Sequence, residues 1–243
     1  MPFYRTDFHH HCDCDPVDCL DYSAYELVDQ LQERGINALA ITPHTAVFED
    51  PKVIEYAASK NMLLIPGAEL VVEGYEVVLL NISPNDVPET CTFDHLKELR
   101  RQKGESLFIF APHPFYPRSS CAGAVLDTHA GLFDAVEFAH FYFSFWNPNR
   151  KAVAWAGKNN KPVIANSDSH HLTMAGLHFS IVEAPRLDAV SIFRAIRSGK
   201  VTYQSKGKNL IELARFLVKV VLNQLVRKTP RRLRRFAEDH FLD

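Results

Sequence analysis

Hydrophobic and polar positions follow two periodicities along the first two thirds of the chain. Stretches with the 3.6-residue period of an amphipathic helix alternate with short apolar runs that are typical of buried strands. The helical stretches are residues 24–35, 51–60, 93–102 and 148–159. The strand-like runs are residues 3–8, 38–42, 63–65, 76–82, 107–111, 135–138 and 163–165. This alternation predicts an α/β fold of parallel βαβ units, and more than six strands in one domain favour a barrel over an open sheet.

Local signals mark where the predicted helices begin and end. Ser23 is a suitable N-cap for the first helix, Glu26 follows three residues later as in a capping box, and Gly35 ends the pattern. Pro51 stands at the first position of the second helix, where its missing N–H carries no cost. The helices are therefore predicted from their ends as well as from their periodicity.

The last part of the chain differs from the rest. Residues 210–226 have helical periodicity, Pro230 breaks it, and the whole segment is rich in Lys and Arg. We therefore expect residues 1–205 to form the barrel and residues 206–243 to form a basic amphipathic helical tail. Three roles are open for such a tail: packing on the barrel, contact with an anionic membrane, or contact with a nucleic-acid backbone.

Composition limits the classes of protein that need be considered. The 243 residues carry a formal net charge of −2, so no overall field attracts nucleic acid or an anionic membrane. Five cysteines, an odd number, and the lack of a signal-peptide pattern predict a cytoplasmic protein with free thiols. The chain has no run of eighteen apolar residues and neither of the two common glycine-rich nucleotide-binding motifs.

Histidine and carboxylate residues follow nearly every predicted strand. In a parallel α/β barrel the carboxyl ends of the strands meet on one face, so these side chains are expected in one place. They are of the types that bind zinc, manganese or iron. One such histidine alone is more often structural, whereas the coordinated set predicts a metal site. The set is His9, His10, His11, His44, Glu69, His113, His140, Asp168 and His170.

Strand alternation sorts the neighbouring histidines. Residues i and i+2 of a strand point to the same side, so His9 and His11 can reach one ion, and Asp168 and His170 have the same spacing. His10 and His171, which lie beside these pairs, should point away from the ion. Each is expected either to pack behind the metal ligands or to be exposed to solvent.

Five segments resemble, in order, the motifs of the PHP (polymerase and histidinol phosphatase) family of metal-dependent phosphoesterases. The similarity spans roughly residues 3 to 203. It implies a distorted (β/α)7 barrel, with the C-terminal helical tail as an appendage. The segments are residues 7–11 (DFHHH), 35–44 (GINALAITPH), 65–69 (IPGAE), 111–114 (APHP) and 166–170 (NSDSH).

The resemblance also implies two or three divalent metal ions, with zinc, manganese or iron as candidates. One ion would be held by His9, His11, Glu69 and Asp168. A second would share Glu69 with His113 and His140. A third would be held by His44, His170 and a residue from the loop after the first motif. Asp15 is the preferred loop residue, with Asp18 and Asp13 as alternatives, because the loop does not align cleanly with the family motif.

The chain departs from the family pattern at Pro43, where a carboxylate usually orients the following histidine. The resemblance implies hydrolysis of a phosphate ester by metal-activated water, with Glu69 and Asp168 in the catalytic centre. Arg118, in the loop after His113, is either a phosphate clamp or an ordinary loop arginine. The expected substrate is a phosphorylated small molecule, a nucleotide or the end of a nucleic-acid chain.

An aromatic run after His140, together with Tyr116, could stack a base, although packing is the commoner role of such a run. Two other functions remain as alternatives. A PHP-like domain without activity would serve as a binding or regulatory module. A hydrolase of the amidohydrolase type also uses a His-x-His pair in a metal barrel.

Overall fold

A computed structural model describes residues 1–208 of the chain, and its elements alternate much as the sequence predicts. This part contains nine strands and five α-helices. The strands are β1 (Phe3–Asp7), β2 (Ala38–Ile41), β3 (Leu63–Val72), β4 (Tyr75–Leu80), β5 (Phe108–Ala111), β6 (Ala135–Phe138), β7 (Val163–Ala165), β8 (Phe179–Glu183) and β9 (Val201–Gln204). The helices are α1 (Ala24–Glu33), α2 (Pro51–Ser59), α3 (Phe93–Lys103), α4 (Asn149–Asn159) and α5 (Ala189–Arg197).

All nine strands form one curved sheet in the order β7-β6-β5-β4-β3-β2-β1-β8-β9. The sheet nearly closes into a barrel, because β7 also lies against β8 and β9. The Ser180 hydroxyl of β8 accepts a hydrogen bond from the Ala165 N–H of β7 (2.9 Å) and donates one to the Ala165 carbonyl (3.1 Å). The α/β barrel predicted from the sequence is therefore confirmed.

The prediction that all strands are parallel is wrong for part of the sheet. Strands β1, β2 and β3 are parallel to one another, as are β5, β6 and β7, but β4, β8 and β9 run antiparallel to their neighbours. The physical reason for β4 is a two-residue hairpin turn, in which Glu73 (φ 51°) and Gly74 (φ 91°) both adopt left-handed backbone conformations. The sequence predicted seven strands in parallel units, whereas the described residues form nine strands.

Three elements near the end of the described chain have no counterpart in the predicted pattern: β8, α5 and β9. Most other predicted elements agree with the structure to within a few residues. The predicted capping box at Ser23 and Glu26 is confirmed, with Ser23 Oγ accepting from the Glu26 N–H and the Glu26 carboxylate accepting from the Ser23 N–H.

Side chains of the sheet alternate between an inner core and two outer cores. In β2, Ala38 and Ala40 belong to the inner cluster, whereas Leu39 and Ile41 pack with residues of α1 and α2. The ring of Phe193 on α5 stacks on Phe108 of β5, with centroids 4.8 Å apart. Helix α5 thus adds to the inner core beside the start of β5.

Residues 141–146 and 207–208 belong to a separate compact unit. Within it the Phe143 N–H donates to the Trp146 carbonyl (2.8 Å) and the Lys208 N–H to the Tyr142 carbonyl (2.8 Å). Most of the predicted tail, residues 209–243, lies outside the described residues. Among residues 1–208, no helix has the length and apolar character needed to cross a bilayer.

Candidate metal centre

The strands deliver the predicted ligands to one end of the barrel. His9–His11 follow β1, His44 follows β2, Glu69 lies within β3, and His113 follows β5. Residues 168–170 follow β7, with a bridge between His10 and Ser169 that places the ends of the first and seventh strands side by side. His44 and Glu69 form a similar bridge. The backbone therefore fixes the separation of these side chains.

Glu69 lies at the centre of the group and is almost fully buried, with 2% of its surface exposed. Its Oε2 atom is 3.2 Å from His9 Nε2, 3.2 Å from His44 Nε2 and 3.5 Å from His11 Nε2. Its Oε1 atom is 3.5 Å from His113 Nε2. One carboxylate thus faces four imidazoles, as a carboxylate that bridges metal ions would.

Asp168 lies close to three of the histidines that surround Glu69 and to His170. Its Oδ1 atom lies 3.6 Å from His9 Nε2, 3.5 Å from His11 Nε2 and 3.5 Å from His170 Nδ1. Its Oδ2 atom is 4.0 Å from His113 Nε2. These atoms are separated by distances typical of ligands that share an ion rather than of direct hydrogen bonds.

The loop after the first motif brings two of the three candidate aspartates to the site. Asp15 Oδ2 lies 2.8 Å from His11 Nδ1 and 2.9 Å from His44 Nδ1. Asp18 Oδ2 lies 3.0 Å from His170 Nε2 and 3.7 Å from His44 Nδ1. Asp13 is exposed. Asp15 holds the rings of two histidines, while Asp18 faces the group of His11, His44 and His170 that could hold an ion.

Asp15 orients His44 in place of the carboxylate that the family pattern has at position 43, where this chain has Pro43. The carboxylate expected at position 43 would orient His44, and Asp15 Oδ2 accepts a hydrogen bond from the His44 backbone N–H (3.0 Å) as well as contacting its ring. Burial raises the pKa of the Asp15 carboxyl, but hydrogen bonds from His11 and from backbone N–H groups outweigh this and hold the pKa well below its usual range.

The remaining predicted site residues are His140 and Arg118. His140 is half-buried, with its ring centroid 5.8 Å from that of His178, and its charge helps to lower the pKa of Asp168. Arg118 is 65% exposed and its guanidinium lies 3.3 Å from Glu76 Oε1. Its proposed role as a phosphate clamp therefore requires release from Glu76.

The charges of the site are balanced internally. Burial raises the pKa of the Glu69 carboxyl, but the charge of His9, the proximity of the His113 ring and the hydrogen bond from His9 hold this pKa well below its usual value. Burial lowers the pKa of His11, yet the hydrogen bond to Asp15 and the nearby Asp168 carboxylate raise it to about 9. Without metal, imidazolium protons thus offset the carboxylates, which is the role that divalent cations would take over.

Two buried atoms at the centre lack a hydrogen-bond partner among the described residues. They are His11 Nε2 and Glu69 Oε1, both of which point into the group. Buried polar atoms are nearly always satisfied, so an orphaned imidazole nitrogen beside an orphaned carboxylate oxygen fits a cation between them. Nitrogen and oxygen donors of this kind suit zinc, manganese and iron.

Glu137 is a site residue that the sequence reasoning missed. It lies in β6, is fully buried, and contacts His9 Nδ1 through Oε1 (3.1 Å). The same oxygen accepts from Asn166 Nδ2 (2.9 Å), and Oε2 accepts from the His113 N–H (2.9 Å). The available signal was a single acidic residue inside an apolar strand.

Glu76 and Cys121 were also missed. They lie beside the outer ring nitrogen of His113, with Nδ1 3.5 Å from Cys121 Sγ and 3.7 Å from Glu76 Oε2. His10, in contrast, behaves as strand alternation predicts: it is buried behind the site, with Nδ1 2.8 Å from Ser169 Oγ. His171, for which solvent was one expectation, is exposed.

Two of the proposed ligands have strained backbones. His113 has φ of 30° and Asp168 has φ of 43°, in the left-handed region that non-glycine residues seldom adopt. Such strain persists only where the surrounding contacts enforce it, and it clusters at functional sites. Its occurrence at two strand ends that meet at Glu69 is consistent with a functional centre.

Comparisons with known proteins agree with this geometry. A family model described as PHP-associated matches residues 146–201, which include Asp168 and His170. No curated protein sequence matches the chain.

Three solved structures resemble the fold. One is a two-domain protein from Bacteroides vulgatus that contains a predicted PHP-like metal-dependent phosphoesterase (TM-score 0.66, 18% identity, 84% of this chain and 65% of that one). Another is PsfC from Pseudomonas syringae (0.63, 16%, 85% and 93%). A third is the lesion-specific endonuclease PfuEndoQ from Pyrococcus furiosus (0.60, 15%, 83% and 58%).

The chain therefore spans only about two thirds of the first of these proteins and 58% of the third. At 15–18% identity the likeness concerns the fold, and the matched family model covers residues 146–201. Together these findings agree with the resemblance to the PHP family that the sequence motifs carry.

Proposed function

We propose that the chain is a metal-dependent phosphoesterase. The observation that carries the proposal is the convergence of four imidazoles on the buried carboxylate of Glu69, with Asp168 facing it. The similar folds of a PHP-like phosphoesterase and of a lesion-specific endonuclease support phosphate-ester chemistry.

The proposed ligands divide into three groups around shared carboxylates. His9, His11, Glu69 and Asp168 would hold one divalent ion, and His113 and His140 would hold a second together with Glu69. His44 and His170 would hold a third with Asp15 or Asp18. When bound, such ions make water nucleophilic near neutral pH and neutralise charge on phosphoryl oxygens.

The chain's own residues prepare the site for this chemistry. Asp15 accepts the Nδ1 protons of His11 and His44, so that their Nε2 atoms, which lie near Glu69, would be the nitrogens that bind a cation. Glu137 does the same for His9. Arg118 would exchange Glu76 for a phosphate oxygen of the substrate, since a guanidinium donates to both kinds of anion.

Two substrate classes fit this proposal: phosphorylated small molecules, and nucleotides or the ends of nucleic-acid chains. The endonuclease neighbour, named for its action on lesions, favours testing the second class alongside the first. A panel of phosphomonoesters and of DNA strands with 5′ and 3′ phosphates, with and without an abasic site, separates them.

The test begins with the metal content of the purified full chain. Assays then measure phosphate release with manganese, zinc or iron. We expect bound divalent metal, metal-dependent release, and a loss of more than about 100-fold in Glu69→Gln, because even residues behind metal ligands contribute about 10–100-fold. Glu98→Gln is the matched control, since Glu98 lies on the exposed face of α3, paired with Arg101.

Several outcomes would contradict the proposal. Tight metal binding without phosphate release from any substrate would favour a binding or regulatory module. Metal-dependent cleavage of amides instead of phosphate esters would favour an amidohydrolase-type enzyme. Full activity in Glu69→Gln with metal present would rule out the proposal that Glu69 bridges metal ions.

A further inference from the structure

Two cysteine thiols lie in contact in the loop that follows the first motif. The Sγ atoms of Cys12 and Cys14 are 3.2 Å apart. Cys12 is fully buried and Cys14 is exposed, so one sulfur is reached by solvent and the other is held directly behind it. No other pair among the five cysteines, all of which lie in the described residues, is recorded in such contact.

The local backbone explains this contact. The Asp15 N–H donates to the Cys12 carbonyl (2.9 Å), which closes a four-residue turn from Cys12 to Asp15. A second hydrogen bond, from the Asp13 N–H to the Tyr22 carbonyl (2.9 Å), anchors the turn to the rest of the loop. Consecutive Cα atoms are about 3.8 Å apart, so the first and third residues of such a turn lie about 5–7 Å apart, which overlaps the range of about 4.4–6.8 Å found for disulfides.

We propose that Cys12 and Cys14 form a reversible oxidation site at which hydrogen peroxide converts the two thiols into a disulfide. The exposed Cys14 sulfur attacks a peroxide oxygen, the O–O bond breaks, and Cys14 becomes a sulfenic acid while water leaves. The Cys12 sulfur then attacks the Cys14 sulfur, the S–S bond forms, and hydroxide leaves as water with the Cys12 proton. One peroxide is reduced to two waters as two thiols are oxidised.

The position of the pair couples this oxidation to the candidate metal centre. The Cys12 carbonyl holds the backbone of Asp15, and the Asp15 carboxylate holds the rings of His11 and His44. Bond formation shortens the sulfur separation by about 1 Å, to the usual 2.05 Å. The turn must absorb this movement, so the disulfide form is expected to bind metal more weakly at these histidines. By linkage, bound metal then opposes oxidation.

The oxidation itself is tested on the full chain without metal, so the result does not depend on the proposed hydrolysis. The reduced protein is treated with chelator and then with hydrogen peroxide. We expect a loss of about 2 Da, which is two hydrogen atoms, and its reversal by dithiothreitol. Trypsin leaves residues 6–34 as one peptide that also contains Cys19. In Cys19→Ser this peptide has only Cys12 and Cys14, so the same mass loss assigns the bond.

Cys14→Ser should abolish the mass loss, and because Cys14 is exposed the variant should fold. A gain of oxygen atoms without loss of hydrogen, or a bond that disappears in Cys19→Ser, would overturn the proposal. The coupling is tested by repeating the oxidation with manganese or zinc bound. We expect slower disulfide formation, and an unchanged rate would overturn the coupling while leaving the oxidation site in place.

Discussion

For the four histidines around Glu69, the contacts made by Nδ1, which faces away from Glu69, matter as much as those made by Nε2. His9 contacts Glu137 through Nδ1, and His11 and His44 share Asp15. A carboxylate at Nδ1 fixes the proton there and leaves Nε2 free to bind a cation. The outer contacts thus determine which nitrogens can serve as ligands.

Glu137 provides the sharpest test of this effect. Glu137→Gln should keep the fold but weaken metal affinity by about 10–100-fold, because the uncharged amide is a poorer acceptor for His9 and one of its ends is a donor. Metal titration of the chelated protein measures the change.

Glu105→Gln is the control for this substitution. Glu105 is an exposed carboxylate paired with Arg194, away from the site. Equal affinities for Glu137→Gln and the unaltered protein would mean that Glu137 serves the fold alone.

At this scale the sequence predicted much of the group that lies around Glu69 but not what each side chain does; the predicted members found there are His9, His11, His44, His113, Asp168 and His170. The histidines after the strands were predictable, since strand ends converge in any such barrel. The contacts of Glu137 and the choice between Asp15 and Asp18 were not, because they depend on distances between β6, a loop and β1. No periodicity encodes such distances.

At the scale of elements, β3 is a strand whose pairing partner changes along its length. β3 pairs with β2 as far as Pro66, and from Gly67 onward it pairs with β4. The sequence predicted a strand that ended before Pro66, because proline cannot donate to a sheet ladder. β3 continues past Pro66 because Pro66 is the last residue that pairs with β2 and Gly67 is the first that pairs with β4. The continued strand places Glu69 in the site.

Gly67 is expected to be required at this crossing. A Cβ atom there would lie 2.9 Å from Leu80 Cδ2, 3.0 Å from the Leu79 carbonyl oxygen and 3.1 Å from Thr42 Cγ2. Gly67→Ala should lower the free energy of unfolding by about 1–3 kcal/mol, since the neighbours include backbone that cannot move aside. Denaturant unfolding measures it.

Gly131→Ala is the matched control, because a Cβ atom at Gly131 would have no neighbour within 4 Å. Equal stability of the Gly67→Ala and Gly131→Ala variants would show that the packing around Gly67 accommodates a Cβ atom. Helices α1 to α4, by contrast, were predicted from their periodicity and, for α1, from the cap at Ser23, which acts within a few residues.

At the scale of the molecule, the barrel closes through a side chain instead of a continuous ladder. Ser180 Oγ satisfies both the N–H and the carbonyl of Ala165 across the junction of β7 and β8. Strands β8 and β9 were absent from the predicted pattern, whose last strand was residues 163–165. The overall barrel was nevertheless predictable, since it follows from the repeated βα units.

Ser180→Ala should open this junction. Two buried backbone groups of Ala165 would lose their partner, which should lower the free energy of unfolding by about 1–3 kcal/mol. Thermal and denaturant unfolding of the full chain measure the loss.

Ser198→Ala is the control, since the Ser198 hydroxyl donates to the Ala195 carbonyl at the end of α5, a bond that water can replace. A Ser180 variant as stable as this control would show that strand closure does not depend on the hydroxyl.

The place of β1 between β2 and β8 has a consequence for synthesis on the ribosome. β1 is made first and finds β2 soon afterwards, but its other edge stays open until Phe179–Glu183 emerges. Pairing over such a separation in sequence is slow. His9 and His11 therefore leave the ribosome long before Asp168 and His170, so a nascent chain holds only part of the candidate centre, and metal loading is expected to follow release of the completed barrel.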